Sequence, residues 1–477
     1  MRKIFFRCTL IVAVLMSFGC VQSTPDAIEL NAGPQLFIDN YLIAEQTMLN
    51  RTVNNPDKLP DPIAYGGWDK DQVFQPYISV VQDEETGLFR MWYNTATNTT
   101  NTHLVHIAYM ESEDGINWKR PHTILEDPHP MQFGCTVLDR GSDFEDKEQR
   151  FVFATYYPPG LYLSYSPDGI TWTEGEGNPV FEHNHDISSF HWDPIREQYL
   201  APISHRLDGY EDKTHPYQND DNRRIGHGTT SKDLVNWEPI EVIIAPKLGV
   251  PIEKGETQFY SMSGVITRGD LMIGLVKVLR DDINATPGLD AKEMGDMKRK
   301  AAGLGYTVLA WTRDGKTWQR DHEPFLSNNP LPGTFDHAMT WGDEQIVTGD
   351  KTFIYYGGYE LGHKIDRWNQ RHIGFASMDK DRYVSRDADL VEGRLLTRPV
   401  IINGEGLTVN ARIYETFQVR LVDANSKPIS GFDWVSLSGD SVTHTVAWKK
   451  SIGSLNGKAV RLEFKMTKAQ LFGFEIS

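Results

Sequence analysis

The sequence predicts an all-β protein, a five-bladed β-propeller followed by a C-terminal β-sandwich domain. Three observations support this prediction. A polar turn that ends in tryptophan recurs along the chain, segments that alternate apolar and polar residues separate its copies, and longer alternating segments take over after about residue 390. Sheets of about four short strands, repeated at intervals of roughly 50 to 80 residues, are typical of propeller blades.

The recurring turn has four clear copies. They read "SEDGINW" at 112–118, "SPDGITW" at 166–172, "TSKDLVNW" at 230–237 and "TRDGKTW" at 312–318. Glycine accepts positive φ and aspartate bonds its own backbone, so each copy predicts a tight turn between strands. The tryptophan is expected to begin the outermost strand and to pack on the neighbouring sheet. A fifth, weaker copy has Arg382 and Tyr383 where Gly and Trp stood. We interpret the motif as structural rather than catalytic.

The N-terminus has the order of an export signal. A basic start and an apolar run of about a dozen residues lead to Gly19 and Cys20, and a membrane span needs about 20 apolar residues. This segment resembles a bacterial lipobox, although Ser17 stands where leucine is usual; a plain secretory signal with an incidental cysteine is the alternative. We expect a signal peptide (1–19), a tether (20–30), a propeller (31–390) and a sandwich (391–477), lipid-anchored to a bacterial membrane through Cys20.

The formal charge is −17, and removal of the basic residues Arg2, Lys3 and Arg7 with the signal leaves −20. Such acidity disfavours nucleic acid and anionic lipid surfaces, so the only membrane contact expected is the lipid anchor. Cys135, in "FGCTVLD", is expected to be a buried strand residue without a nucleophilic role. The sequence contains no zinc-ligand spacing, P-loop, dinucleotide fingerprint or serine-hydrolase elbow. We therefore expect no cofactor and no metal-binding residues, with a cation in the central funnel of a propeller as the alternative.

Residues 35–390 resemble the five-bladed propeller glycosidases of glycoside hydrolase families 32, 43, 68 and 117. Two segments, "LFIDNYLIA" (36–44) and "IGFASMDKDRYVS" (373–385), resemble secreted proteins described as family 32-like. The "WMNDPN", "RDP" and "EC" motifs of family 32 are missing. The resemblance implies a carbohydrate substrate and carboxylates at the mouth of a central funnel. One would protonate the leaving oxygen, and another would activate water or attack the sugar.

Acids stand directly before four of the five predicted innermost strands. They are Asp71 (with Asp69 as its competitor) in "GGWDKDQVFQPY", Asp186 in "EHNHDISSF", Glu256 in "EKGETQFYSM" and Asp336 in "GTFDHAMTW". Asp186 resembles the aspartate that modulates pKa in family 43, and Glu256 resembles the general acid by chain order. For each of these acids, the alternative is a capping or solvated loop carboxylate. The second repeat offers His129 and no acid.

Several other residues are candidates for the same funnel. His363, in "YYGGYELGHK", is similar to the histidine acid of family 117, with an exposed loop histidine as the alternative. An arginine at the end of "APISHR" could clamp a carboxylate or sulfate of the substrate, or form a salt bridge instead. Trp68 could stack on a sugar, although core packing is the alternative. The predicted substrate-binding residues are His185, His205, Arg206, Trp68 and His337.

The sequence thus predicts an exported glycoside hydrolase that acts on a plant or algal polysaccharide or its oligosaccharides. A non-catalytic glycan-binding surface lipoprotein is the alternative, favoured by the missing "WMNDPN" motif and by the second repeat, which lacks an acid. A scaffolding propeller that binds protein is a third possibility.

Overall fold

The computed structural model describes residues 27–67, 73–96, 104–184, 189–206, 224–245, 258–280, 283–289 and 301–477. Within these residues strands dominate, which confirms the all-β prediction. Helix is limited there to two 3-10 turns and the four-residue helix α1. These segments are Lys147–Gln149, Ile452–Leu455 and α1, Arg367–Gln370. None of the helices in the described ranges has the length and hydropathy needed to span a membrane.

Four short strands form the N-terminal segment. They are β1 (Gln35–Leu36), β2 (Ile43–Thr47), β3 (Asn50–Val53) and β4 (Asp57–Lys58). The strand predicted from "QLFIDNYLIA" is broken into β1 and β2. A turn interrupts it because the Asp39 carboxylate accepts the Tyr41 backbone N–H at 3.0 Å and binds the Arg313 guanidinium at 2.9 and 3.0 Å.

Five antiparallel sheets, here called sheets I to V, follow along the chain. Within each sheet, strands adjacent in sequence are paired, except that β12 of sheet II pairs with β10. Sheet I contains β5 (Phe74–Gln82), β6 (Phe89–Thr95) and β7 (His106–Ser112). Sheet II contains β8 (Phe133–Asp139), β9 (Phe151–Tyr157), β10 (Gly160–Ser166), β11 (Thr173–Glu174) and β12 (Phe181–Glu182). Sheet III contains β13 (His191–Asp193), β14 (Gln198–Arg206), β15 (Arg224–Ser231) and β16 (Glu241–Ile244).

Sheets IV and V share one parallel pairing, Gly305 with Met339. Sheet IV contains β17 (Gln258–Arg268), β18 (Leu271–Arg280), β19 (Leu304–Thr312) and β20 (Gln319–Arg320). Sheet V contains β21 (Met339–Thr348), β22 (Lys351–Tyr359) and β23 (Arg371–Asp379). The N-terminal strand β4 completes sheet V by pairing with β23. The last sheet of the series is therefore closed by a strand from the beginning of the chain.

The first strands of the sheets contact one another. Strand β5 contacts β8 and β21, and β17 contacts β21 and the strands of sheet III. The β5 and β8 strands run in the same direction, since Tyr77 lies beside Phe133 and Ser79 bonds Val137 further along both strands. Each sheet therefore has two distinct ends. We call them the start end, where its first strand begins, and the turn end, where its third strand ends.

The recurring motif forms the hairpin at the turn end of sheets I to IV. In sheet II, the Asp168 carboxylate accepts the N–H groups of Ile170 and Thr171 at 2.8 Å, and the Ser166 hydroxyl accepts the Gly169 N–H at 2.8 Å. Gly169 has φ +73°, so the predicted tight turn is confirmed. Sheets I, III and IV repeat these bonds around Asp114, Asp233 and Asp314.

The motif also joins neighbouring sheets. The Gly169 carbonyl of sheet II accepts the Trp92 indole N–H of sheet I at 2.7 Å, and the Gly115 carbonyl of sheet I accepts the Tyr355 hydroxyl of sheet V at 3.1 Å. In sheet IV, the Arg313 carbonyl accepts a bond from Arg196 of sheet III. The repeated turn is therefore a contact between adjacent sheets as well as a hairpin.

The C-terminal region forms one nine-stranded sheet. Its own strands are β24 (Val384–Ala388), β25 (Gly393–Thr397), β26 (Val400–Ile401), β27 (Leu407–Asp423), β28 (Val435–Thr445) and β29 (Ala459–Ile476), and β1, β2 and β3 complete it. Thus strands on the N-terminal side of the predicted boundary at residue 390 also belong to this sheet. The fifth copy of the motif contacts this C-terminal sheet, and there its sequence departs from the pattern. Arg382 bonds Asn410 of β27 at 3.0 Å and Asp440 of β28 at 2.5 Å.

Candidate active site

Charged side chains from two sheets meet where the first strands contact one another. Asp343, on β21, receives the ammonium group of Lys277 from β18 and the Nη2 of Arg371 from β23, the latter at 3.2 Å. The side chains of Lys277, Asp343 and Arg371 are 1%, 2% and 0% exposed. Arg371 Nη1 also donates to the Tyr359 hydroxyl at 2.9 Å. We call this arrangement the central cluster.

Sheet I contributes the remaining wall of the central cluster. The Lys277 ammonium nitrogen lies 5.0 Å from the centroid of the Tyr77 ring, within the range of a cation–π contact. Burial raises the pKa of Asp343, and the charges of Lys277 and Arg371 oppose that shift. Burial also lowers the pKa of Lys277, and the charge of Asp343 opposes that shift. The cluster is thus a buried ion pair supported by a second cation.

Glu344 follows Asp343 at a bulge in β21, where the pairing with β22 shifts between Gly342 and Glu344. The residue is half-buried, but its carboxyl group lies deep enough that burial raises its pKa to about 8. One carboxyl oxygen is 3.5 Å from the Ser79 hydroxyl of sheet I, and the other accepts the Gln345 N–H at 3.2 Å. Burial therefore favours the protonated form of Glu344.

Burial raises the pKa of both neighbouring carboxyl groups, Asp343 and Glu344, and Asp343 is paired with two cations. A protonated carboxyl group can act as a general acid, and an ionised one can orient or stabilise charge. Asp343 is enclosed by its two cations, and its charge contributes to the raised pKa of Glu344. Cys135 lies close by on β8, and burial, with the charges of Asp343 and Glu344, raises the pKa of its thiol. Cys135 is buried, as the sequence predicted.

Asp336 lies three residues before β21 and is 2% exposed. Its Oδ2 accepts the Lys58 ammonium group of β4 at 2.6 Å and the Tyr356 hydroxyl at 3.1 Å, while its Oδ1 has no partner. Beside it, His337 Nδ1 contacts the Asn329 carbonyl at 2.8 Å, and its Nε2 is buried without a partner. The ion pair with Lys58 ties the loop before β21 to the strand that completes sheet V.

His363 lies against the same strand. It is 9% exposed, and its ring centroid is 5.5 Å from that of Trp341, whose indole N–H donates to the Val278 carbonyl at 3.0 Å. Asp336 precedes β21, and His363 packs on Trp341 near the beginning of that strand. The roles predicted for Asp336, His337 and His363 remain predictions.

Two other predicted residues lie on sheet III. His205 lies near the end of β14, with its ring centroid 4.8 Å from that of His227 on β15. Arg206 ends β14 and pairs with Arg224. The following predicted residues lie outside the described ranges: Cys20, Trp68, Asp69, Asp71, His185, Asp186 and Glu256.

Sequence reasoning missed Lys277, Asp343, Glu344 and Arg371. A signal was present, since Lys277 is the single internal charge of "LMIGLVKVLR" and Asp343 and Glu344 interrupt an apolar strand in "TWGDEQIV". A buried strand rarely contains a charge without a partner. Across the described ranges, no group of three or more His, Cys, Asp or Glu side chains could hold a metal ion.

The aspartates of the motif have the opposite electrostatic character. The Asn117 backbone N–H, together with the Asn117 side chain, lowers the pKa of Asp114. In Asp314, burial opposes the shift, but the N–H groups of Thr317 and Lys316 lower the pKa to about 2. These carboxylates are ionised and their acceptor positions are occupied by their own turns.

No protein-family model and no curated protein matches the chain. It is similar to a solved structure described as a glycoside hydrolase, at 12% identity, over 68% of this chain and 92% of that one, with a TM-score of 0.46. It is similar to the family 32 β-fructofuranosidase of Bombyx mori, at 12% identity, over 89% of this chain and 94% of that one, with a TM-score of 0.40. An exo-β-1,3-galactanase from Phanerochaete chrysosporium has 10% identity over 88% of this chain and 100% of its own, with a TM-score of 0.41. Likenesses at these identities and TM-scores do not assign a function to this chain.

Proposed function

We propose that sheets I to V are the five blades of a β-propeller and that the C-terminal sheet folds into a sandwich beside it. Contacts from β5 to β8, from β17 to β21 and from β21 back to β5 support a ring. The closing of sheet V by β4 supports it as well, because a ring needs its last blade fixed to the beginning of the chain. In such a ring, the start ends of the sheets converge at one funnel.

The function that this geometry favours is the hydrolysis of glycosidic bonds. Glycoside hydrolysis requires one protonated carboxyl group to donate to the leaving oxygen and one ionised carboxylate to attack or to activate water. The observation that carries the proposal is Glu344, a carboxyl group whose pKa is raised to about 8 where the first strands of sheets I and V meet. Such a group remains a proton donor at the pH where other carboxyl groups have lost their protons.

The ionised partner is expected among the acids that precede the first strands. Asp71 precedes β5, Asp186 precedes β13, and Glu256 precedes β17. Asp186 and Asp71 are our candidates for nucleophile or base, and Glu256 competes with Glu344 for the role of acid. The two working carboxyl groups must lie roughly 5 to 9.5 Å apart. A plant or algal polysaccharide, or its oligosaccharides, is the proposed substrate.

The experiment is a hydrolysis screen of neutral and acidic oligosaccharides with the purified mature chain. Asp186→Asn, Glu256→Gln and Glu344→Gln are assayed beside the wild type, because each replacement removes a charge or a proton donor and preserves shape. Turnover that falls at least about 100-fold in one acid variant and in Asp186→Asn supports the proposal. Absence of turnover on every substrate by the wild type contradicts it.

One observation favours a second function, the binding of glycans without catalysis. Apolar side chains from several first strands, among them Tyr77, Phe133, Met339 and Trp341, pack into one buried cluster. An apolar centre of this kind leaves less room for a substrate. Binding of an oligosaccharide without turnover would support this alternative.

We also propose export and lipid anchoring at Cys20 in a bacterial membrane, which the signal-like order of residues 1–20 supports. Expression with labelled palmitate should label the wild type and not Cys20→Ala. Equal labelling of both proteins would contradict the anchor.

A further inference from the structure

A groove lies at the turn end of sheet IV, and its lining contains none of the residues of the candidate active site. Its volume is about 600 Å³, enough for one or two sugar rings. Three segments form it: the turn between β1 and β2, residue 51 of β3, and residues 311–319 around the fourth motif copy. We call it the Tyr41 groove.

Two arginines fix the walls of this groove. The Arg313 guanidinium binds both carboxylate oxygens of Asp39, at 2.9 and 3.0 Å. Arg51 binds both oxygens of Asp321, at 2.8 and 2.9 Å, and its Nε donates to the Ile38 carbonyl at 2.8 Å. Because bidentate pairs hold both partners in one geometry, a ligand would meet walls that are already ordered.

The groove displays an aromatic ring that is exposed and yet held in place. The Tyr41 side chain is 41% exposed, and the guanidinium carbons of Arg313 and Arg398 lie 4.3 and 5.1 Å from its ring centroid. A rigid aromatic ring provides a large contact area at little cost in conformational entropy. The apolar C–H face of a sugar is complementary to such a ring.

The polar lining offers donors and acceptors without a net charge. The exposed side chains of Asn40 and Gln319 each carry an amide that can both donate and accept. Among the charged residues of the lining, Arg51 and Arg313 offset Asp39 and Asp314. A ligand rich in hydroxyl groups fits this balance, whereas a strongly anionic one finds no excess of positive charge.

We propose that the Tyr41 groove binds a neutral oligosaccharide, as a second carbohydrate site separate from the active site. The choice of carbohydrate rests in part on the proposed function. A second site on the same chain would hold a long polysaccharide near the funnel and would raise the local concentration of cleavable bonds.

The test is isothermal titration of the full mature chain with a panel of neutral trisaccharides built from glucose, xylose, mannose or galactose. Trigalacturonate is the acidic comparison. We compare the wild type with Tyr41→Ala, Tyr41→Phe and Gln319→Ala. Tyr414→Ala is the matched control, because Tyr414 is 69% exposed and lies outside the groove. We expect at least one neutral trisaccharide to lose about fivefold or more in affinity with Tyr41→Ala, and to keep its affinity with Tyr41→Phe and Tyr414→Ala.

Hydrolysis separates this inference from the proposed function. Tyr41→Ala should cleave a trisaccharide as the wild type does and should act more slowly on the polymer. Binding that depends on Tyr41, without any hydrolysis, would support a carbohydrate site in the Tyr41 groove and would contradict the proposed hydrolase activity. Binding that is unaffected by Tyr41→Ala, binding of trigalacturonate alone, or no binding at all would overturn the inference.

Discussion

The turn ends of the sheets and the central cluster both depend on carboxyl groups, and they use them in opposite ways. At the turn ends, Asp168 and its counterparts are exposed and saturated by N–H groups of their own turns, and their pKa values are lowered. In the centre, burial raises the pKa of Glu344 to about 8, although Ser79 and the Gln345 N–H lower it. The comparison teaches that a carboxylate bonded by the N–H groups of its own turn stays ionised and builds structure, whereas burial favours the protonated form, which can donate a proton.

The largest expected effect comes from the central ion pair. Lys277→Met should lower the free energy of unfolding by about 3–5 kcal/mol, because it leaves Asp343 buried with one cation instead of two. Urea unfolding followed by tryptophan fluorescence measures the loss. The matched control is Lys351→Met. Lys351 pairs with Asp379 at 2.7 Å, but the two side chains are 53% and 28% exposed, so its loss should stay below about 1 kcal/mol. Equal losses in both variants would remove the distinction between centre and surface.

The next largest effect is the pH dependence of the contribution that Glu344 makes to the free energy of unfolding. The pKa of Glu344 is about 8 in the folded chain against the ordinary value of 4.5, so the unfolded chain loses its proton first. Its contribution to stability is therefore complete below about pH 4.5 and disappears as the pH rises to about 8. At about 1.4 kcal/mol per pH unit, this amounts to roughly 5 kcal/mol. The difference in unfolding free energy between wild type and Glu344→Gln should follow that window, and a difference independent of pH would contradict it.

The aspartates of the motif should show a pH dependence of stability opposite in sign to that of Glu344. The pKa of Asp314 is about 2 in the folded chain against 3.8, so its contribution is complete above about pH 4 and is lost as the pH falls towards 2. Because the carboxylate is largely exposed, we expect Asp314→Ala to cost only about 1 kcal/mol at neutral pH. The same urea experiment at pH 7 and pH 3 should show this cost shrinking in acid. A loss of stability in Asp314→Ala that grows in acid would contradict the lowered pKa of Asp314.

The smallest effect concerns the contact between sheets V and I. Tyr355→Phe removes the hydroxyl that donates to the Gly115 carbonyl at 3.1 Å and should cost about 1 kcal/mol. Tyr414→Phe removes an exposed hydroxyl and should cost nothing measurable. If the two variants unfold at the same urea concentration, the motif closes hairpins without joining sheets.

Local pattern explains why the turn ends could be predicted. The hydrogen bonds of each turn are made within seven or eight residues of the chain. For example, "SPDGITW" contains both the glycine for positive φ and the aspartate that accepts the following N–H groups. The third copy is informative, since Leu234 takes the left-handed conformation at φ +65°. Its side chain packs with Phe190 and Tyr199 in a buried cluster, which compensates for the strain.

The centre could not be predicted in the same way, because its partners are distant in sequence. Lys277 and Asp343 are 66 residues apart, and Lys58 reaches Asp336 from 278 residues away. Nothing near "GTFDHAMTW" indicates that a strand from the N-terminus will supply the cation for Asp336. Likewise, the boundary near residue 390 could not reveal that β1, β2 and β3 complete the C-terminal sheet, since strand pairing is set by tertiary packing.

The most direct test of the central claim is the pH dependence of oligosaccharide hydrolysis in wild type and Glu344→Gln, measured from pH 4 to pH 10. If the proton on Glu344 is the one donated, the wild-type rate should fall above about pH 8 and the variant should be at least about 100-fold slower at pH 7. A variant that hydrolyses the same substrate at the wild-type rate, with an unchanged alkaline limb, would contradict this account.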